Sequence, residues 1–206
     1  MKNCIKEIKP ININDLNRCK LNIYIELLLK WQKKVNLISG STVKQIWERH
    51  IYDSLQLLPY LPEELINKKI VDCGSGAGFP GLMLSVFGRK DILLCEKSHK
   101  KASFLKEASR IMDIKVEIME TKVENLEKKI ASAVIARAFA PLNKIIETCS
   151  PLLAPNAPMI LLKGKNVDSE INLTKRKWKI SFKKYPSSTS SDGYILTINK
   201  IKKLYD

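Results

Sequence analysis

The segment Val71-Asp72-Cys73-Gly74-Ser75-Gly76-Ala77-Gly78-Phe79-Pro80-Gly81 carries the sharpest chemical signal in the chain. Glycines at 74, 76 and 78 let the backbone adopt positive φ and come within contact distance of a ligand. A short apolar run precedes them and a helical pattern follows. The loop therefore falls at the carboxyl end of a strand and the start of a helix, where α/β sheets bind their ligands. The helix N-terminus would favour an anionic group there. Glu96 ends the next apolar run, 22 residues after Gly74. An acid at that offset can accept hydrogen bonds from both hydroxyls of a ribose; a solvated acid at a strand end is the plainer alternative.

The glycine spacing narrows the ligand. A dinucleotide fingerprint would need its third glycine at 79, which is Phe79, and no Gly-Lys-Ser/Thr follows to make a P-loop. The G-x-G-x-G form is that of S-adenosylmethionine sites, so this cofactor is expected, with Gly74, Gly76, Gly78 and Glu96 around it. The anionic group at the helix N-terminus would be its methionine carboxylate.

Which atom would receive the methyl group is constrained by what is missing. Methylation of an exocyclic base amine usually uses [DN]-P-P-[FY], but Ala136-Arg137-Ala138-Phe139 stands in that place. A pyrimidine carbon needs a thiolate; Cys149 lies in an apolar helical pattern, where packing is its expected role. Ribose methylation would want a Lys-Asp-Lys-Glu set, and Arg137 falls where its aspartate would stand. Guanine N7 needs none of these. It is an in-plane acceptor on the major-groove edge with no proton to lose, so orientation and a pre-arranged polar site can supply the rate. No metal and no dedicated base are required. Arg137 is the first residue to test, as a clamp on the cofactor carboxylate or on the guanine edge, or as a structural ion-pair partner. His50 and Asp53 follow, as guanine-positioning residues or as a polar network docking N-terminal helices on a sheet.

The elements that must position these residues read as an α/β fold. Residues 13–68 read as helical, with Leu21, Tyr24, Ile25, Leu28 and Leu29 at helical spacing and a second set at Ile46, Ile51, Leu55 and Leu58. From Lys69 the period changes. Strands are expected at 70–73, 92–96, 115–119, 131–136 and 159–162. Helices are expected from Pro80, as first helical residue, to Phe87, and at 100–112 and 141–153. Alternation of this kind argues for a parallel sheet covered on both faces. Segments 178–185 and 194–198, joined by a serine-rich turn, read as an antiparallel pair. The whole is a Rossmann-like class I methyltransferase architecture: a helical extension over residues 1–68, then a core over 69–206.

Composition bounds the setting. The formal net charge is +15 and 45% of the 206 residues are hydrophobic. The charge suggests an anionic partner, although lysine-biased composition contributes, with only six arginines present. Expected phosphate-contacting residues are Lys33, Lys34, Lys97, Lys100, Lys101, Lys175, Arg176 and Lys177, with Trp178 available to stack. Each cluster alone also reads as a solvated face. No apolar run reaches about 18 residues, so no membrane helix is expected. Met1 to Glu7 lack the apolar core of a secretory signal. Five scattered cysteines, including Cys4, and two histidines suggest reduced thiols, no structural zinc and a cytoplasmic protein. A monomer is expected.

Three further segments complete a pattern: Trp31-Gln32-Lys33-Lys34-Val35-Asn36-Leu37, Arg49-His50-Ile51-Tyr52-Asp53-Ser54 and Ala136-Arg137-Ala138-Phe139-Ala140. With the glycine loop they resemble the bacterial 16S rRNA (guanine-N7) methyltransferase G family, also called glucose-inhibited division protein B, from about Leu28 to Gly164. The resemblance implies methylation of guanosine 527 in the 530 loop of 16S rRNA, as naked RNA or in the small ribosomal subunit. It also implies cofactor contacts at Gly74, Phe79, Val123, Glu124 and Arg137. Here Lys122 precedes Val123-Glu124 where the family usually has Arg. A small-molecule methyltransferase of the same fold is the alternative, predicting a compact lid and no salt-sensitive RNA binding. A non-enzymatic RNA-binding protein would have damaged its cofactor loop, and an NAD-dependent oxidoreductase is disfavoured by Phe79.

Overall fold

A computed structural model describes residues 13–63 and 68–204. The expectations for Met1–Glu7 and Cys4, and the part of the helical reading over 64–67, lie outside these residues. Within them a seven-stranded sheet has the order β3-β2-β1-β4-β5-β7-β6. The strands are β1 (Lys69–Cys73), β2 (Ile92–Cys95), β3 (Glu117–Met119), β4 (Ala131–Arg137), β5 (Met159–Lys163), β6 (Trp178–Pro186) and β7 (Tyr194–Lys203). The first five are parallel; β7 inserts antiparallel between β5 and β6. Strand order reverses between β1 and β4, and the crevice at such a reversal is where open α/β sheets hold ligands.

Both faces of the central strands are buried, because consecutive apolar residues point to opposite sides. Ile70, Ile92, Leu94, Ile135 and Ile160 enter one apolar cluster, whereas Val71, Leu93, Val134 and Leu161 enter the other. The first face is covered by α1 (Asp15–Gln32), α3 (Gly81–Val86) and α4 (His99–Ile111). The second is covered by α5 (Leu142–Cys149) and α6 (Val167–Thr174). Cys149 is fully buried there, in the packing role expected of it. At the sheet edge, β6 alternates half-buried and exposed residues and carries Lys179, Lys183 and Lys184, which discourages pairing with another chain.

Helix α1 starts where Asn14 caps it, its side chain accepting from the Asn17 amide at 2.8 Å. It lands on the sheet through Tyr24, fully buried and packed edge-on to Phe79 and Phe104. The Tyr24 hydroxyl donates to the Ala77 carbonyl at 2.5 Å, so the helix is pinned to the glycine loop. Trp31 ties the helix to α4 farther along, donating to Glu107 Oε2 at 3.0 Å.

Several element boundaries differ from expectation. After α1 the helical reading breaks into a 3-10 turn (Gly40–Gln45), a π-helical turn (Trp47–Tyr52) and the short α2 (Asp53–Leu55). Ile46 and Ile51 are five apart, so only a wider turn buries both on one face, and both are buried. Pro80 caps α3 rather than opening it, because Gly81 is the first helical residue. The 141–153 segment stops being α-helical at Cys149 and tightens into a 3-10 turn around Pro151. Helix α6 was not anticipated, and β7 runs on to Lys203.

Candidate active site

The carboxyl ends of β1, β2 and β4 enclose a cavity of about 430 Å³ lined by Gly74, Cys95, Glu96, Lys97, Lys101, Thr121, Lys122, Val123, Glu124, Ala138 and Phe139. Gly74 is required here for two reasons. Its φ is +73°, and a Cβ would lie 2.5 Å from Cδ2 of Phe139. The absent side chain lets the Phe139 ring close over the loop and form one wall.

Glu96 is almost fully buried, and its carboxylate is fixed from behind. Oε2 accepts from the Gly76 amide at 2.9 Å and Oε1 from the Ser98 amide at 2.8 Å. Each oxygen keeps a second acceptor position, so the group is oriented and still able to receive two hydroxyls. Gly76 thus serves the site through its amide, from outside the cavity lining. Gly78 has a packing role: a Cβ would stand 2.7 Å from Leu82. Phe79 is buried behind the loop against Tyr24 and His50.

The start of α3 is not free for a methionine carboxylate, contrary to the expectation. Asp72 already occupies it, its Oδ2 accepting from the Gly81 amide at 2.9 Å. A Cβ at Gly81 would meet that carboxyl at 2.7 Å. Asp72 is fully buried and its Oδ1 has no hydrogen bond among the described residues. Burial raises its pKa to about 7, with Glu96 adding to the rise and the Gly81 amide and Arg137 opposing it. The motif contained this residue, but a role for it required knowing the burial.

Beyond Ala138 lies a second cavity of about 400 Å³. Ala138 lines both, held at φ +49° in a conformation unusual for a residue with a side chain. The second cavity is walled by Thr42, Arg49, Asp53, Arg137, Leu162, Lys163, Glu170 and the β6–β7 turn through Ser187, Ser190 and Gly193. Arg137, expected at the cofactor, borders this chamber.

Arg137 ends β4 and is mostly buried. Its Nη2 meets His50 Nδ1 and its Nη1 lies 3.3 Å from Asp53 Oδ2, while the guanidinium sits 5.4 Å from the centre of the Phe79 ring. The ion pair leaves Nη1 without a hydrogen bond among the described residues. Because arginine can only donate, His50 Nδ1 must accept. Its Nε2 then carries the proton, donated to Thr42 Oγ1 at 2.8 Å. Thr42 in turn donates to the Ser39 carbonyl. Burial, reinforced by the charges of Arg137 and Arg49, lowers the His50 pKa to about 3. His50 is neutral with both nitrogens engaged.

Asp53 ties three distant segments together. Oδ2 faces Arg137, while Oδ1 accepts from Gln56 Nε2 and Thr189 Oγ1, both at 2.7 Å. Gln56 Oε1 also accepts from the Ser188 amide at 3.0 Å. The serine-rich turn is therefore docked onto α2 and the residue that caps it, as part of a wall.

Two site residues escaped sequence reasoning. Lys163 Nζ pairs with Glu170 Oε2 at 2.6 Å and donates to the Ala140 carbonyl. The same Glu170 oxygen accepts from the Leu142 amide at the start of α5. Both side chains are largely buried, so breaking the pair would cost about 3–5 kcal/mol. The unnoticed signal was Val167, Ile171 and Thr174 at helical spacing behind two acids, which marks α6 and places Glu170.

Of the basic residues, Lys97 and Lys101 line the first cavity. Lys33, Lys34 and Lys100 are exposed. Lys175, Arg176 and Lys177 lie at the far edge of the sheet, because they precede β6, whose other end carries the turn at the cavity. Trp178 packs on the apolar cluster rather than standing free to stack.

Comparison with known proteins adds a family. The family model described as GidB, rRNA small subunit methyltransferase G, matches residues 17–194. The ribosomal RNA small subunit methyltransferase G of Rhodospirillum rubrum is 38% identical over 88% of this chain and 90% of its own length. That of Rickettsia typhi is 39% identical over 90% and 95%, and that of Paramagnetospirillum magneticum 35% over 89% of each. Among solved structures, a SAM-dependent methyltransferase of Aquifex aeolicus superposes with a TM-score of 0.57 at 13% identity, covering 78% of this chain and 98% of that one. TYW2 of M. jannaschii, in complex with AdoMet, superposes with a TM-score of 0.55 at 13% identity over 84% and 80%. At such identity these structures bear on the fold alone, and they bear out the class I methyltransferase architecture.

Proposed function

Because the chain belongs to the rRNA small subunit methyltransferase G family, we propose that it transfers the methyl group of S-adenosylmethionine to N7 of a guanosine in 16S rRNA, guanosine 527 by the resemblance. The observation that carries the reading is the pair of cavities meeting at Ala138, one built around the glycine loop and Glu96, the other around cations.

The residues of the first cavity fit the cofactor. Gly74 and Phe139 form a cradle that a Cβ would fill, Glu96 presents a fixed pair of acceptors for ribose hydroxyls, and Val123 and Glu124 border the space for adenine. Bound there, S-adenosylmethionine supplies a methyl carbon activated by its sulfonium. Arg137 lines the second cavity, with Nη1 facing Asp53 Oδ2 at 3.3 Å, so a contact of this residue with the methionine carboxylate rests on the resemblance alone.

The second cavity supports N7 as the acceptor atom. N7 has no proton to lose, so the protein's work is to hold the base in line and exclude water. His50 is unsuited to proton abstraction, since its Nδ1 lone pair faces Arg137 and its Nε2 proton faces Thr42. Asp53 is equally occupied. Arg49, exposed at the rim, suits an RNA phosphate, in keeping with action on ribosomal RNA in the cytoplasm.

The test is to incubate the purified protein with labelled cofactor and small-subunit particles from cells lacking it. The label should enter 16S rRNA, and the RNA should cleave at one guanosine after reduction and aniline. Labelled RNA that resists this cleavage would place the methyl group elsewhere.

A further inference from the structure

We propose that Glu170 selects guanine in the second cavity by accepting hydrogen bonds from the N1–H and N2–H groups of its Watson–Crick edge; this rests on the guanosine reading above. The argument starts from the chemistry of the bases. Guanine presents two adjacent donors on that edge, whereas adenine presents an acceptor at N1. A pocket that chooses guanine therefore needs a fixed acceptor there, and a carboxylate oxygen that cannot turn into a donor is the strictest kind.

Arg49, Arg137 and Lys163 around the cavity can only donate, and the hydroxyls of Thr42, Ser187 and Ser190 can turn to do either. Two carboxylates share that wall. Asp53 is spent, since Oδ1 already takes protons from Gln56 and Thr189 and Oδ2 faces Arg137. Glu170 is half spent. Its Oε2 holds Lys163 at 2.6 Å and the Leu142 amide at 2.7 Å, while Oε1 has no hydrogen bond among the described residues. Two partners on one oxygen stop the carboxylate from rotating, so the open oxygen is presented in a set direction. Lys163, anchored also by the Ala140 carbonyl, keeps that charge compensated before any base arrives.

This arrangement gives Glu170 a role in discrimination that is separable from the cofactor, whose cavity it does not line; because Glu170 also holds Lys163 and the start of α5, the wild-type comparison of two substrates tests that role without any substitution. The experiment uses small-subunit particles assembled from 16S rRNA ligated to carry either guanosine or inosine at the target position. Inosine keeps N7, O6 and N1–H but lacks the 2-amino donor. The wild-type protein should methylate the inosine particle with kcat/KM lower by about 10- to 100-fold, the range for a lost hydrogen bond to a charged acceptor. In Glu170→Gln the guanosine rate should fall by a similar factor and the guanosine-to-inosine ratio should drop towards one. Cofactor affinity measured calorimetrically should stay within about twofold of wild type. A wild-type ratio near one overturns the proposal whatever the variant does. A variant that slows both substrates equally, keeping the wild-type ratio, shows a purely structural glutamate and overturns it too. Aniline cleavage of the guanosine product reports the N7 reading separately, so the two can fail independently.

Discussion

Replacing Asp72 with asparagine should change the pH dependence of stability by a calculable amount. Asp72 is fully buried, one oxygen has no partner, and its pKa stands near 7 against an ordinary 3.8. Between those values the folded protein holds a proton that the unfolded chain has already released. Stability therefore falls as pH rises through the window, by about 1.4 kcal/mol per pH unit, and is flat with respect to this group outside it. The asparagine variant has no such titration. The stability of Asp72→Asn minus that of wild type should thus grow by about 3 kcal/mol between pH 5 and pH 8, and then level off. In urea this corresponds to a relative midpoint shift on the order of 1 M. The measurement is urea unfolding of cofactor-free protein followed by tryptophan fluorescence at half-unit pH steps. Every other group cancels in the difference, so its slope isolates one carboxyl. A difference that stays constant across the range would mean that Asp72 ionises as an exposed acid does, and the burial argument would be wrong.

Three further outcomes follow from the geometry. Gly74→Ala, at φ +73° and with its new carbon 2.5 Å from the Phe139 ring, should lower cofactor affinity at least tenfold by calorimetry and cost about 1–3 kcal/mol of stability. His50, held near pKa 3, is neutral throughout the working range. A kcat profile between pH 5.5 and 8 should therefore show no limb that disappears in His50→Gln. Simultaneous Lys175→Glu, Arg176→Glu and Lys177→Glu should change the KM for particles less than about threefold, because these residues lie at the far edge of the sheet. Arg49→Glu at the cavity rim should raise the same KM more than about tenfold at low salt.

What the sequence could disclose depended on how local each signal was. The central strands were legible because burial on both faces writes them as unbroken apolar runs, and the loop because its glycines need positive φ. Gly74 and Glu96, singled out by their spacing and their places after apolar runs, line one cavity. Residues whose role depends on a distant partner were not. Gln56 carries no motif, yet it holds a turn that begins at Ser187. Glu170 reads as one more acid until Lys163 and the start of α5 come beside it. Lysine clusters, conversely, were easy to see and hard to place, since charge does not tell which edge of a sheet it occupies. The π-helical turn was missed because a five-residue apolar spacing fits neither regular period.

The contacts of Asp53 also bear on when this protein becomes competent during its synthesis. One partner of this carboxylate, Thr189, lies 136 residues later, and the β6–β7 hairpin supplies one side of the chamber. A ribosome that has translated the glycine loop, the cofactor cradle and Arg137 has still produced only an open shelf. The closed shape of the chamber therefore waits on the β6–β7 turn, which brings Ser187, Ser190 and Gly193 to its wall.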